Sequence, residues 1–158
     1  MTRVFITGGT GFIGSHLADR LLEKDCSVSC LVRATSSLRW LKDKPVELVY
    51  GTLFDKDVIS NAVRDADYVY HVAGVTFARH REDFIKGNID ATRSFIGICH
   101  AVNPGLKKFV HVSTQAVVGP SASGEPADES AAYNPLTAYS RSKVEAEKIV
   151  KDYFSRMK

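Results

Sequence analysis

Tyr139 and Lys143 stand four residues apart near the end of the sequence, a spacing that puts both on one face of a helix. A phenol with an ordinary pKa of about 10 exchanges protons poorly near neutrality. An ammonium one helical turn away favours the phenolate. Thr114 lies 25 residues earlier, at the end of the apolar run Phe109-Val110-His111-Val112-Ser113. A hydroxyl there can hydrogen-bond the substrate oxygen whose proton the tyrosine exchanges. A lone Tyr-x-x-x-Lys is more often a surface pair; Thr114 is what raises it to a candidate for acid–base work on a hydroxyl or carbonyl.

A second group points to an anion. Thr7-Gly8-Gly9-Thr10-Gly11-Phe12-Ile13-Gly14 follows directly on the apolar run Val4-Phe5-Ile6. Ile13, Leu17 and Leu21 then recur at helical spacing, with Ala18 and Leu22 beside them. Strand, glycine-dense turn and amphipathic helix together hold a dinucleotide pyrophosphate. The glycines serve the tight turn, the close approach of backbone to phosphate and the packing of helix on strand. The free N–H groups that open the helix face the anion together with the positive end of its dipole. Two patterns overlap: Gly9, Gly11 and Gly14 satisfy G-x-G-x-x-G, and Gly8, Gly11 and Gly14 satisfy G-x-x-G-x-x-G. No Gly-Lys-Ser/Thr closes the run, which excludes a Walker-type phosphate loop.

The elements that must position these residues alternate along the chain. Strands are expected near 3–7, 27–32, 46–50, 68–72 and 108–113, and helices near 13–24, 56–64, 82–102 and 138–156. Strands rich in Val, Ile, Tyr and Phe, separated by helices, indicate an α/β fold with a parallel sheet covered on both faces. Right-handed crossovers make it doubly wound, in the order 3-2-1-4-5. The crevice of such a sheet lies at the carboxyl ends of its strands, so the Ser-, Ala-, Pro- and Gly-rich stretch Gly119–Pro135 is expected to border it.

At 158 residues the chain is expected to form one domain. Lys and Arg exceed Asp and Glu by 21 to 18, too little to argue for nucleic acid. No apolar stretch approaches the roughly 18 residues of a membrane span, and the N-terminus lacks signal-peptide order. Cys26, Cys30 and Cys99 form an odd set without metal-ligand spacing, which suggests reduced, partly buried thiols and a cytoplasmic location. His71 and His111 fall near strand ends, but packed or surface roles fit all five histidines better, and no metal site is expected.

Taken together, these segments resemble the extended short-chain dehydrogenase/reductases, the NAD(P)-dependent sugar epimerases, dehydratases and reductases. The glycine motif reads Thr7 through Gly14. The family's fourth-strand segment reads His71-Val72-Ala73-Gly74, and its Asn-x-x-Gly-Thr segment reads Asn88-Ile89-Asp90-Ala91-Thr92. The hydroxyl segment reads Ser113-Thr114-Gln115-Ala116-Val117-Val118-Gly119, and the acid–base motif reads Tyr139-Ser140-Arg141-Ser142-Lys143. The resemblance implies Tyr139 as general acid/base and Lys143 as its activator and a contact of the nicotinamide ribose. It implies Thr114 as the group orienting the substrate oxygen, with Ser113 as fallback, and Asn88 as a brace or catalytic residue. Gly8, Gly11, Phe12, Ile13, Gly14, Thr52, Leu53, Ala73 and Gly74 would line the cofactor. The implied reaction moves a hydride between the nicotinamide and a secondary alcohol or ketone carbon of a nucleotide sugar or a simpler ketone. A homodimer through the helices near 82–102 and 138–156 is implied as well.

The departures carry information. An acidic residue usually ends the second strand and grips the adenosine ribose; here the segment reads Leu31-Val32-Arg33. A guanidinium there matches a 2′-phosphate, which favours NADP over NAD. The Asp-Leu pair expected after the third strand reads Thr52-Leu53, Ala91 replaces a glycine and Val118 a tyrosine. Family members usually run to about twice this length, so the later strands and the substrate lobe are expected to be missing here. A non-catalytic NAD(P)-binding module is therefore the alternative reading.

Overall fold

The computed structural model describes residues 1–121, 124 and 126–155. The chain divides into two compact units: residues 1–74 with 94–112, and residues 75–93 with 113 onward.

All five strands lie in the first unit. They are β1 (Arg3–Thr7), β2 (Ser27–Val32), β3 (Val46–Tyr50), β4 (Tyr68–His71) and β5 (Lys108–His111). Every pairing is parallel and the order is β3-β2-β1-β4-β5, as expected. The fourth and fifth strands stop one and two residues short of their expected ends.

Strand alternation sends successive side chains of β1 to opposite faces. Val4 and Ile6 join Val28, Cys30 and Val32 in a core that includes Ala18 and Leu21 of helix α1 (Phe12–Leu22). Phe5, on the other face, packs its ring 6.0 Å from that of Phe95, which belongs to helix α4 (Ala91–Val102). Both faces of the sheet are therefore covered, which explains its near-continuous apolar strands. One expectation for α1 fails. Ile13, read as the first member of its apolar row, is 58% exposed, and the buried face is Gly14, Ser15, Ala18 and Leu21. Small residues near the helix start let it sit close to the turn, and that rotates Ile13 outward.

Helix α2 (Lys56–Val63) buries Ile59, Ser60 and Val63. Asn103 donates its side-chain amide to the carbonyls of Val63 and Ala66 at 2.7 and 2.8 Å, tying the exit of α2 to the end of α4.

The second unit holds the first part of the helix expected near 82–102, an unbroken helical run from Arg81 to Val102 with a π-helical turn inside it. It contains the short α3 (Arg81–Phe84) and a π-helical turn (Ile85–Asp90) that runs into α4. It also holds a 3₁₀ turn (Gln115–Val117) and the long helix α5 (Ala138–Ser155). Helix α5 packs on the π turn, on α3 and on the 3₁₀ turn. The sequence pattern did not foretell the π turn: a local i→i+5 register leaves hydrophobic spacing almost unchanged. The last residue of the expected helix 138–156 and part of the Gly119–Pro135 loop lie outside the described residues.

Candidate functional site

In the sheet unit, β1 ends at Thr7 and the chain turns sharply at Gly8, whose φ is +77°. A Cβ on Gly8 would stand 2.6 Å from the Ala73 nitrogen, so the turn after β1 is pressed against the exit of β4. Gly14 is equally constrained, because its Cβ would collide with the Gly8 carbonyl. Gly11 differs. Its φ is −87°, open to any residue, and a Cβ there would meet only the Gly8 oxygen at 3.4 Å. Nothing within the described chain demands a glycine at 11, and the position faces solvent. It is also the N-cap of α1, which receives no side-chain cap and has no acidic residue in its first turn. Phe12 and Ile13 beside it are 72% and 58% exposed. An uncapped helix N-terminus with open space over its cap glycine suits a ligand phosphate.

Behind this turn the fully buried Thr7 joins the two strands. Its Oγ1 accepts from the Ala73 N–H at 3.2 Å and lies 2.7 Å from His71 Nδ1. The His71 ring packs against Phe95 and Phe109, with centroids 5.1 and 6.1 Å away. His71 is thus a packed core histidine supporting the turn. Thr7 was missed as a supporting residue; its place as the last residue of an otherwise apolar strand was the available signal. Gly74 is exposed just beyond.

Arg33 is exposed at the end of β2, where its N–H donates to Ser36 Oγ at 3.1 Å and its carbonyl accepts from the Ser36 N–H at 2.9 Å. Among the described residues no carboxylate pairs with its guanidinium. Thr52 is exposed and Leu53 half-buried after β3. The Thr52 N–H donates to Asp55 Oδ2 at 2.6 Å.

In the second unit Tyr139 and Lys143 lie in the first two turns of α5. The Tyr139 ring rests against Phe84, centroids 6.2 Å apart. Lys143 is only 5% exposed. Burial disfavours its ammonium and lowers its pKa to about 8, with Glu147 acting in the opposite sense. The helix start is locked by reciprocal contacts: the Thr137 N–H donates to Ser140 Oγ, and the Ser140 N–H to Thr137 Oγ1, both at 3.0 Å.

Asn88, 2% exposed on the π turn, uses its whole amide. Its Oδ1 accepts from the Val75 N–H at 2.7 Å, and its Nδ2 donates to the Val75 carbonyl and to Ser142 Oγ, each at 2.9 Å. Ser142 Oγ in turn donates to the Tyr139 carbonyl at 2.7 Å. The side chain of Asn88 therefore braces the turn that carries Tyr139 and Lys143. Thr114 caps the 3₁₀ turn, accepting from the Ala116 N–H at 3.3 Å, which leaves its own O–H proton for another acceptor. Ser113 Oγ is buried without a hydrogen-bond partner among the described residues.

Residues 4–158 match the family model described as NAD dependent epimerase/dehydratase family. The chain belongs to that family. Curated relatives include the ceramide reductase of Caulobacter vibrioides, 32% identical over 85% of this chain and 42% of its own length. Another is a 4-hydroxy-2-methyl-3-oxo-4-farnesyl-3,4-dihydroquinoline-1-oxide ketoreductase of Stigmatella aurantiaca, 30% identical over 94% of this chain and 45% of its own. Among solved structures, the Bordetella bronchiseptica enzyme WbmH in complex with NAD+ superposes with a TM-score of 0.83 at 26% identity. That match covers 96% of this chain and 52% of WbmH. The chain thus spans less than half the length of these curated relatives. Membership in the epimerase/dehydratase family accounts for the parallel sheet and the glycine turn together. No helix among the described residues is long and apolar enough to cross a membrane, and no cluster of His, Cys, Asp or Glu among them could hold a metal ion.

Proposed function

We propose that this chain carries the cofactor-binding and proton-transfer part of a nicotinamide-dependent oxidoreductase acting at a secondary alcohol or ketone carbon. The observation that carries the proposal is Lys143. A lysine buried to 5% exposure one turn after a tyrosine costs the fold stability, and its value there is chemical. Its ammonium, one helical turn from Tyr139, suits a phenol that removes a hydroxyl proton or returns one to a developing alkoxide. Thr114 donates its O–H to the same oxygen, and Asn88 keeps the α5 turn in register. The open N-terminus of α1 at Gly11, Phe12 and Ile13, closed behind by Gly8 and Gly14, fits a dinucleotide pyrophosphate. Thr52, Leu53, Ala73 and Gly74 line the rest of its path. When bound, a nicotinamide dinucleotide supplies hydride acceptance and return.

Arg33, exposed and without a carboxylate partner among the described residues, favours NADP over NAD by matching a 2′-phosphate. The two curated relatives named above are reductases, in keeping with a ketone or alcohol substrate, and a nucleotide sugar suits the same proton-transfer groups equally well. Cys30 and Cys99 are free and buried, their thiols pushed up to about 12 by burial, in keeping with a reducing, cytoplasmic setting. On α5 Ala146 and Val150 are buried, while Phe154 is 40% exposed. Its exposed end and the helical run 81–102 are the surfaces through which a homodimer would form.

Calorimetric titration with NADP+ and NAD+, on the native chain and on Arg33→Ala, tests the reading. NADP+ is expected to bind more tightly, and the substitution to weaken it selectively by roughly tenfold, the loss of one guanidinium–phosphate pair. Binding of neither dinucleotide would sink the proposal. Binding of both without turnover of any ketone or alcohol would favour the non-catalytic module.

A further inference from the structure

Lys143, Glu147 and Lys151 recur every four residues along α5, and Tyr133, just before the helix, reaches back to the last two. We propose that Glu147 is a positioning residue, clamped by Tyr133 and Lys151 so that its carboxylate holds Lys143 in the cationic form. The proposal rests on the reading of Lys143 as the activator of Tyr139.

The geometry is directional. Lys151 Nζ donates to the Tyr133 hydroxyl oxygen at 2.6 Å and sits 5.0 Å from the centre of its ring. With its oxygen occupied by an ammonium, the phenol has one proton to give, and it donates that proton to Glu147 Oε2 at 2.7 Å. Lys151 Nζ also lies 3.7 Å from the same carboxylate oxygen. The carboxylate is thus fixed from the far side of the helix turn by a phenol and a cation. Its own side chain is only 18% exposed, which distinguishes it from the solvated pair Lys148–Glu145 on the same helix, each partner 52% exposed.

A clamped carboxylate one turn from a buried ammonium opposes the cost of burial at that ammonium. Burial lowers the Lys143 pKa, and Glu147 acts against that lowering. The other charged groups on elements packed against α5 are Arg81, Glu82 and Asp83 on α3, and Lys86 and Asp90 on the π turn. The first four are exposed, and Asp90 is engaged by Arg93 at 3.3 Å. Without Glu147, Lys143 would lose its proton at lower pH and Tyr139 would lose its activator within the working range.

Competitive acetylation with acetic anhydride across pH, read per lysine by mass spectrometry, tests this on the chain without cofactor or substrate. Lys148 serves as the internal reference. Glu147→Gln is expected to lower the Lys143 midpoint by roughly one pH unit. Tyr133→Phe is expected to lower it by less, and Glu147→Asp to keep it near the native value. A folded Glu147→Gln protein with an unchanged Lys143 midpoint would overturn the proposal. If Glu147→Gln does not fold, an unchanged midpoint in Tyr133→Phe overturns it instead. Failure of the oxidoreductase reading shows separately, as absent dinucleotide binding in the calorimetric titration.

Discussion

In the sheet unit the candidate anion site is made of backbone: a turn at Gly8, a cap at Gly11 and the N–H groups of an uncapped helix, backed by an apolar core. In the second unit the candidate chemistry is made of side chains: Tyr139 against Phe84, Lys143 buried near Glu147, and Asn88 with every amide group engaged. The first arrangement needs almost no specific side chains. Removing atoms from Gly8 and Gly14 is what makes it possible, and a hydrophobic core supports it at no cost in buried charge. The second sets polar and ionisable groups in a buried environment, where each must be satisfied or it weakens the fold. Binding and chemistry should therefore respond differently to substitution.

The widest separation should come from Tyr139→Phe. Loss of the phenol proton should reduce turnover by about a thousandfold, within the range for a positioned acid–base group. Dinucleotide affinity measured by calorimetry should stay within a few-fold of native. Equal losses of both would erase the distinction between the two units.

Next come paired glycine substitutions within the backbone-built site. Gly14→Ala drives a methyl into the Gly8 carbonyl, and should destabilise the fold by about 3 kcal/mol, as overpacking does at a rigid contact. Gly11→Ala meets only one atom, at ordinary contact distance. It should leave the urea midpoint nearly unchanged while weakening dinucleotide binding about tenfold, because the methyl occupies the space the phosphates need. A destabilised Gly11→Ala protein would mean that the glycine is structural after all.

A smaller effect separates the two units by pH. The folded-state pKa of Lys143 lies near 8, below its ordinary 10.5. Between those values the unfolded chain holds a proton that the folded chain has released, so this residue makes stability rise with pH across that window. Lys143→Met should be more stable than the native chain at pH 7 by on the order of 2 kcal/mol, with the difference shrinking as pH rises from 8 toward 10.5. The raised thiol pKa values of Cys30 and Cys99 act oppositely, lowering stability above their ordinary 9, but they are common to both proteins and cancel in the comparison. Denaturant unfolding at several pH values would show it.

The sequence made the backbone-built site more legible than the side-chain-built one. Glycine spacing after an apolar run is a local signal, and the parallel order of the sheet follows from strands alternating with helices. Tyr139, Lys143 and Thr114 could be picked out by type and spacing as well. What spacing did not show was their support. The threefold engagement of Asn88 and the bonds from Thr7 to His71 and Ala73 all depend on residues 13 to 66 positions apart. Ile13 was misplaced for the same reason: its periodicity was helical, but the sheet selected the neighbouring face with Gly14 and Ala18.

By itself the sequence determined the class of the sheet, its strand order and the glycine turn, because each rests on local composition and chain-order rules, and its five motifs carried the resemblance to the family. Only the tertiary structure decided which glycines the fold itself requires, that Lys143 is buried, and that Asn88 and Glu147 stand in contact with distant partners. Those facts depend on what packs against a residue, and a side chain's burial and hydrogen-bond partners are set by segments that its own neighbours in sequence do not specify.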